Sequence, residues 1–154
     1  MRNISDVIEA YLKKIIQSSN SDVVELKRSE IADRFECVPS QINYVIKTRF
    51  TLEKGYLVES KRGGGGYIRI IRLKPKSKQE LIDEMGVVSN QPLSQQSSFD
   101  LVERLKEENL ITEREARLMR RIMHRDILMV PLPERDQIRS KIFKELLTTI
   151  KMHD

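Results

Sequence analysis

Four consecutive glycines, Gly63 to Gly66, separate two runs rich in β-branched and aromatic residues, Tyr56-Leu57-Val58 and Tyr67-Ile68-Arg69-Ile70-Ile71. Runs of that composition read as strands, and a glycine-rich segment between them reads as the tip of a hairpin. The glycines cannot form a strand or helix interior cheaply, because each loses backbone freedom without a side chain to bury, at about 0.5–1 kcal/mol relative to Ala. They fix a small β-hairpin within a chain whose other apolar residues keep a helical period.

Before the hairpin, Ile4, Ile8, Tyr11 and Ile15, with Val7, Leu12 and Ile16 beside them, mark an amphipathic helix that the polar cluster Ser18 to Asp22 ends. A second, short helix is predicted over Ser29 to Phe35, with Ile31, Ala32 and Phe35 on its inner face, ending close to Glu36. Pro39 suits the first turn of a third helix, where its missing N–H costs nothing; Ile42, Val45, Ile46 and Phe50 form the buried stripe, and Gly55 is placed to end it. After Pro75 the pattern is helical throughout, broken by the polar stretch Ser89 to Ser98. Thr112 and Glu115 fit a capping box followed by Ala116, Met119 and Met123, and in the last helix Ile138, Ile142, Leu146 and Ile150 recur every fourth residue.

Helix, helix, turn, helix, hairpin is the order of a winged helix-turn-helix. The expected fold class is mainly α with a small β-hairpin: an N-terminal winged helix-turn-helix over residues 1–74 and a C-terminal helical bundle over residues 75–154 that forms a dimer. Ala32 supplies the small residue wanted where the two helices cross, and Ile42 and Val45 have the spacing to point back at it. Glu36 is a departure, since the turn often uses Gly for a left-handed backbone that strains a longer side chain. Cys37, in the same turn, reads as a small buried hydrophobe. Halves of this size each sit near the limit at which one core stabilises a fold, so shared helices would help, with Met119, Ile122, Met123, Ile127, Leu128 and Met129 as seam candidates.

Composition excludes several classes. One Cys and two His among 154 residues leave no internal disulfide and no metal cluster, and no cofactor is implied. The longest apolar run, Ile127 to Val130, is too short to span a membrane. Arg2, Asp6 and Glu9 interrupt any leader-like stretch, so a cytoplasmic chain is expected. There is no nucleophile paired with a base, and Glu107 with Glu108 or Glu113 with Glu115 read as solvated helix residues; no enzyme is expected.

The charge is uneven. Residues 1–74 carry 14 basic and 9 acidic side chains, whereas residues 75–154 carry 14 of each. Between Val38 and Lys74 the basic residues Lys47, Arg49, Lys54, Lys61, Arg62, Arg69, Arg72 and Lys74 face only Glu53 and Glu59, a local net of +6. Such an excess attracts polyanions, and Lys and Arg contacts to phosphate supply most non-specific affinity for nucleic acid. With Ile42, Val45 and Ile46 inward, Ser40, Gln41, Tyr44, Lys47 and Thr48 face outward and Asn43 lies at the margin. Gln and Asn can pair with adenine and Lys with guanine in the major groove; an ordinary polar helix face is the plainer reading of the same residues. The hexad Lys61, Arg62, Gly63, Gly64, Gly65, Gly66 is not a nucleotide-phosphate loop, because Tyr67 and Ile68 stand where Lys and Ser or Thr are needed. A flexible connection accounts for the glycines but not for the basic pair; a wing tip that lays bare backbone on DNA while Arg62 enters a minor groove accounts for both. Arg28, at the head of the motif, and Arg49 complete the DNA-binding candidates.

The opening Asn3, Ile4, Ser5, Asp6, Ile8, the segment Arg28 to Phe50, and above all the run Gly55 to Ile70 with Glu59, Ser60, Lys61, Arg62 and the glycines resemble the CtsR family, class three stress gene repressors of low-GC Gram-positive bacteria. The resemblance implies a dimeric heat-shock repressor binding direct heptanucleotide repeats upstream of Clp protease and chaperone genes. It also implies a temperature-sensing glycine wing, phosphorylation of Arg62 by a partner protein arginine kinase with its activator, and a second half that dimerises and meets the Clp ATPase and protease. Ordering four glycines on DNA has an entropy cost that grows with temperature, so warming would loosen binding without unfolding. The competing expectation is a non-catalytic winged-helix adaptor of the Clp proteolytic system, which needs no basic recognition face.

Overall fold

The computed structural model describes residues 3–60 and 66–152. The chain divides into two compact units, residues 1–74 and 75–154.

The first unit opens with helix α1 (Ile4–Ser18), capped by Asn3, whose Oδ1 accepts from the Asp6 N–H at 2.9 Å. Strand β1 (Val23–Lys27) follows and runs straight into α2 (Arg28–Arg34) and then α3 (Pro39–Arg49). Strands β2 (Tyr56–Ser60) and β3 (Tyr67–Arg72) form the expected hairpin. The hairpin is not alone: β1 pairs antiparallel with β3, opposing Leu26 to Ile68 and Val24 to Ile70, and makes a sheet of order β1-β3-β2. Ile8, Leu12, Ile42, Val45 and Ile70, all 0 % exposed, join the helices to the sheet in one core. Burying side chains of this size contributes on the order of 1.5–3 kcal/mol each. Tyr11 meets Phe35 edge-on, and half-buried Cys37 packs on the same core.

Two turn residues behave differently from each other. Glu36 does take the left-handed conformation, with φ 52°, and Cys37 N–H closes the turn on the Ala32 carbonyl. Gly55 does not end α3, which stops at Arg49 with Phe50 as its cap. Instead Gly55, with φ 96°, turns the chain into β2, and its carbonyl accepts from the Leu73 N–H at 2.8 Å. Phe50, buried at 3 % exposure, closes the helix five residues before Gly55.

The second unit comprises α4 (Lys78–Val88), α5 (Gln95–Glu107), α6 (Glu113–Met123), the short α7 (Arg125–Leu128) and α8 (Glu134–Met152). Ser77, Ser94 and Thr112 cap three of these helices, and Thr112 with Glu115 forms the full capping box. The polar stretch after α4 is shorter than its composition suggests, since Ser94 starts α5 and Ser98 is buried within it. Along α8 the innermost residues are Arg139, Phe143 and Leu147, one position on from the expected stripe; Ile142, Leu146 and Ile150 flank them half-buried, and Ile138 is exposed. Arg139 causes the shift. Only 1 % exposed, it donates from Nε to the Met123 carbonyl at 2.8 Å and from Nη1 to the Leu93 carbonyl at 2.9 Å and Asp136 Oδ1 at 2.6 Å. The seam candidates also separate. Met119 and Met123 are buried in this unit's own core, whereas Ile122, Ile127 and Met129 are exposed and Leu128 is half-buried.

Candidate nucleic-acid interface

Helix α3 stands on the first unit with a buried side and an outward side. Ile42, Val45 and Ile46 face the core, while Ser40, Asn43, Tyr44, Lys47 and Thr48 are exposed. The Thr48 hydroxyl is turned back onto the Tyr44 carbonyl at 2.7 Å, leaving Tyr44, 56 % exposed, and Lys47 as the most prominent outward groups of the helix's second half.

Two candidates are tied to α1 rather than directed outward. Gln41 Nε2 donates to Ser5 Oγ at 2.8 Å. Arg49 Nη1 lies 2.9 Å from Asp6 Oδ1 and 2.6 Å from Glu9 Oε1, so its guanidinium clamps the end of α3 to the start of α1. Its hydrogen bonds to the Asp6 and Glu9 carboxylates raise the Arg49 pKa further above its already high ordinary value. Burial pushes the Glu9 carboxyl up, but hydrogen bonds from Lys13 and Arg49 outweigh it and hold that carboxyl below its usual range.

Arg28 is a junction. Its backbone N–H donates to the Gly66 carbonyl at 3.2 Å, its Nη2 donates to Ser60 Oγ at 2.9 Å, and its Nε donates to Asn43 Oδ1. One residue at the start of α2 therefore touches the end of β2, the residue that leads into β3 and the outward side of α3. Gly66, with φ 81°, completes the turn back into β3. Lys61, Arg62, Gly63, Gly64 and Gly65 lie outside the described residues.

Folding also redistributes the basic excess. Arg69 lies between Glu25 at 4.0 Å and Glu59 at 3.9 Å, one on each neighbouring strand, and Lys74 lies 3.2 Å from Asp22. With Arg49, three of the six described basic residues between Val38 and Lys74 are compensated inside the unit. Ser5 and Ser60 were missed as members of this site because each acts through a partner 36 or 32 positions away, and no local pattern announces such a pair.

A helix-turn-helix with an outward second helix beside a three-stranded sheet is a winged helix-turn-helix, here carried with a separate helical unit. The family description "CtsR N-terminal HTH domain" matches residues 3–74, and "CtsR C-terminal dimerization domain" matches residues 77–148. The chain belongs to the CtsR family, whose members are transcriptional regulators and not enzymes. It is 56 % identical to the transcriptional regulator CtsR of Geobacillus stearothermophilus, covering 98 % of this chain and 99 % of that one. It is 53 % identical to CtsR of Bacillus subtilis, with 97 % of each chain covered. Among solved structures it is similar to a crystal structure of CtsR in complex with a 26bp DNA duplex, at a TM-score of 0.90 and 56 % identity, over 98 % of this chain and 100 % of that one. Among the described residues no helix is long and apolar enough to cross a membrane, and no cluster of His, Cys, Asp and Glu could hold a metal ion.

Proposed function

We propose that the protein is a sequence-specific DNA-binding transcriptional repressor that works as a homodimer. The observation that carries this reading is α3, which buries Ile42, Val45 and Ile46 and presents Asn43, Tyr44 and Lys47 beside the base of a glycine-tipped hairpin. A helix held in that way fits the major groove, with the wing reaching an adjacent minor groove. Ser40, Asn43, Tyr44, Lys47 and Thr48 contact bases and phosphates; Lys61, Arg62 and Gly63 to Gly66 contact the minor groove and its backbone. Gln41 and Arg49 hold α3 on α1 and serve the interface indirectly. Ile122, Ile127 and Met129 are exposed on the second unit and contribute to the dimer seam.

At the finer level, the operators are direct heptanucleotide repeats before stress genes for Clp protease and chaperones, read in the cytoplasm. Warming releases the repressor as the glycine wing loses its ordered pose. Phosphorylation of Arg62 by a protein arginine kinase with its activator replaces a cation by an anion beside phosphate and so releases DNA, and the Clp ATPase is a further partner. The test is a gel-shift titration on an A·T-rich direct heptanucleotide repeat and a scrambled duplex, at two salt concentrations and two temperatures. Preference for the repeat, lost on warming, supports the whole reading. Preference retained when warm keeps the repressor and removes the glycine sensor, and equal binding to both duplexes removes sequence specificity.

A further inference from the structure

The amide of Asn43 has only one orientation compatible with its neighbour. A guanidinium donates and never accepts, so the Asn43 atom facing Arg28 Nε is the carbonyl oxygen, and the NH2 group is turned away. Gly66 holds the Arg28 backbone and Ser60 holds its Nη2, so the guanidinium is seated against Asn43 and favours that orientation of the amide. Asn43 itself is exposed, on the outward side of α3.

We propose that Arg28 is a positioning residue that sets the hydrogen-bonding polarity of Asn43, so that α3 presents a donor to the DNA and selects a base edge that carries an acceptor. The inference rests on the DNA-binding reading above. In the major groove guanine offers O6 and N7 and thymine offers O4, adenine sets an amino donor beside its N7, and cytosine offers only its N4 amino group. An Asn43 NH2 held outward favours guanine or thymine and meets cytosine donor against donor. A free Asn side chain would flip to suit either edge and discriminate weakly. Because the hydrogen bonds of Arg28 run to Ser60 at the end of β2 and to Gly66 just before β3, seating of the wing and base selection by α3 are mechanically linked.

The test uses the full-length protein and a pool of duplexes with randomised heptanucleotide repeats, comparing the base frequencies enriched by the wild type, Arg28→Met and Asn43→Asp. For the wild type, one position of the heptad shows guanine or thymine over cytosine by about tenfold, the scale of one good base contact. In Arg28→Met the preference at that position collapses while the other positions keep theirs. Asn43→Asp retains a partner for Arg28 but only accepts, so its preference there reverses toward cytosine; urea unfolding curves confirm that both variants are folded, and either variant alone decides the matter. A profile unchanged in Arg28→Met, with affinity lowered equally on every duplex and a salt slope smaller by about one, makes Arg28 a simple phosphate contact and overturns the proposal. An unchanged profile in Asn43→Asp overturns it as well. If the wild type enriches no sequence, the DNA-binding reading fails and takes this inference with it, an outcome distinct from specific binding with unaltered profiles.

Discussion

Arg28 in the first unit and Arg139 in the second each join separate elements through one guanidinium, but their partners differ in kind. Arg139 is 1 % exposed and bonds two backbone carbonyls, Leu93 and Met123, besides Asp136. Among the described residues its Nη2 has no hydrogen-bond partner. Arg28 is half-exposed and bonds two side chains, Asn43 and Ser60. A buried cation whose acceptors are main chain is part of the fold, because removing it strands polar groups that water cannot reach. A half-exposed cation whose acceptors are side chains can be released without unfolding, because water replaces each bond. The same residue type therefore serves as a rivet in one unit and as an adjustable brace in the other.

The comparison breaks most visibly at Arg139. Arg139→Met is expected to destabilise the protein by about 3–5 kcal/mol in urea titrations, since it leaves the Leu93 and Met123 carbonyls buried without donors. A loss comparable to that of a surface substitution would show that the rivet is not one.

Arg49→Met lies between the extremes. Its guanidinium is partly exposed and its two carboxylates are on a surface helix, so about 1 kcal/mol is expected. Acid sharpens the point. The Glu9 carboxyl lies below its ordinary value of 4.5 in the folded state, so its ion pairs stabilise the fold above that value and are lost as pH falls through the lower, folded-state one. Melting temperatures between pH 6 and pH 3 should therefore fall more steeply for the wild type than for Glu9→Gln, and parallel curves would refute the clamp.

Glu36→Gly should stabilise the protein by roughly 0.5–1 kcal/mol, because glycine takes the left-handed turn without the steric cost. Differential scanning calorimetry at fixed protein concentration reads that gain. The smallest effect on stability is expected at Arg28: Arg28→Met should unfold within about 0.5 kcal/mol of the wild type while altering base selection, the opposite of Arg139→Met. A large loss of stability at Arg28 would erase the distinction between brace and rivet.

Much of the fold can be read along the chain. The Thr112 and Glu115 capping box, the start of α3 at Pro39, the two hairpin strands and the left-handed turn at Glu36 follow from interactions within a few residues, whereas the Ser94 cap lay hidden in a polar stretch. The chain alone therefore carries most of the elements, their order, the winged helix-turn-helix pattern and the outward set on α3 apart from Gln41, since helical and strand periods place those side chains wherever the helix docks. Strand β1 was not legible, because Val23 to Lys27 is a five-residue run whose state is decided by the free edge of β3, whose paired residues stand 40 to 48 positions later. Nor could charge counting show that Arg49, Arg69 and Lys74 would be neutralised by carboxylates from α1, from β1 and β2, and from the turn before β1. The offset of α8 toward Arg139, and the ties of Gln41 to Ser5 and of Arg28 to Ser60, depend on the same thing. These arise on folding, because a hydrogen bond or ion pair between distant residues acts over a few ångströms and exists only once packing has brought its partners together.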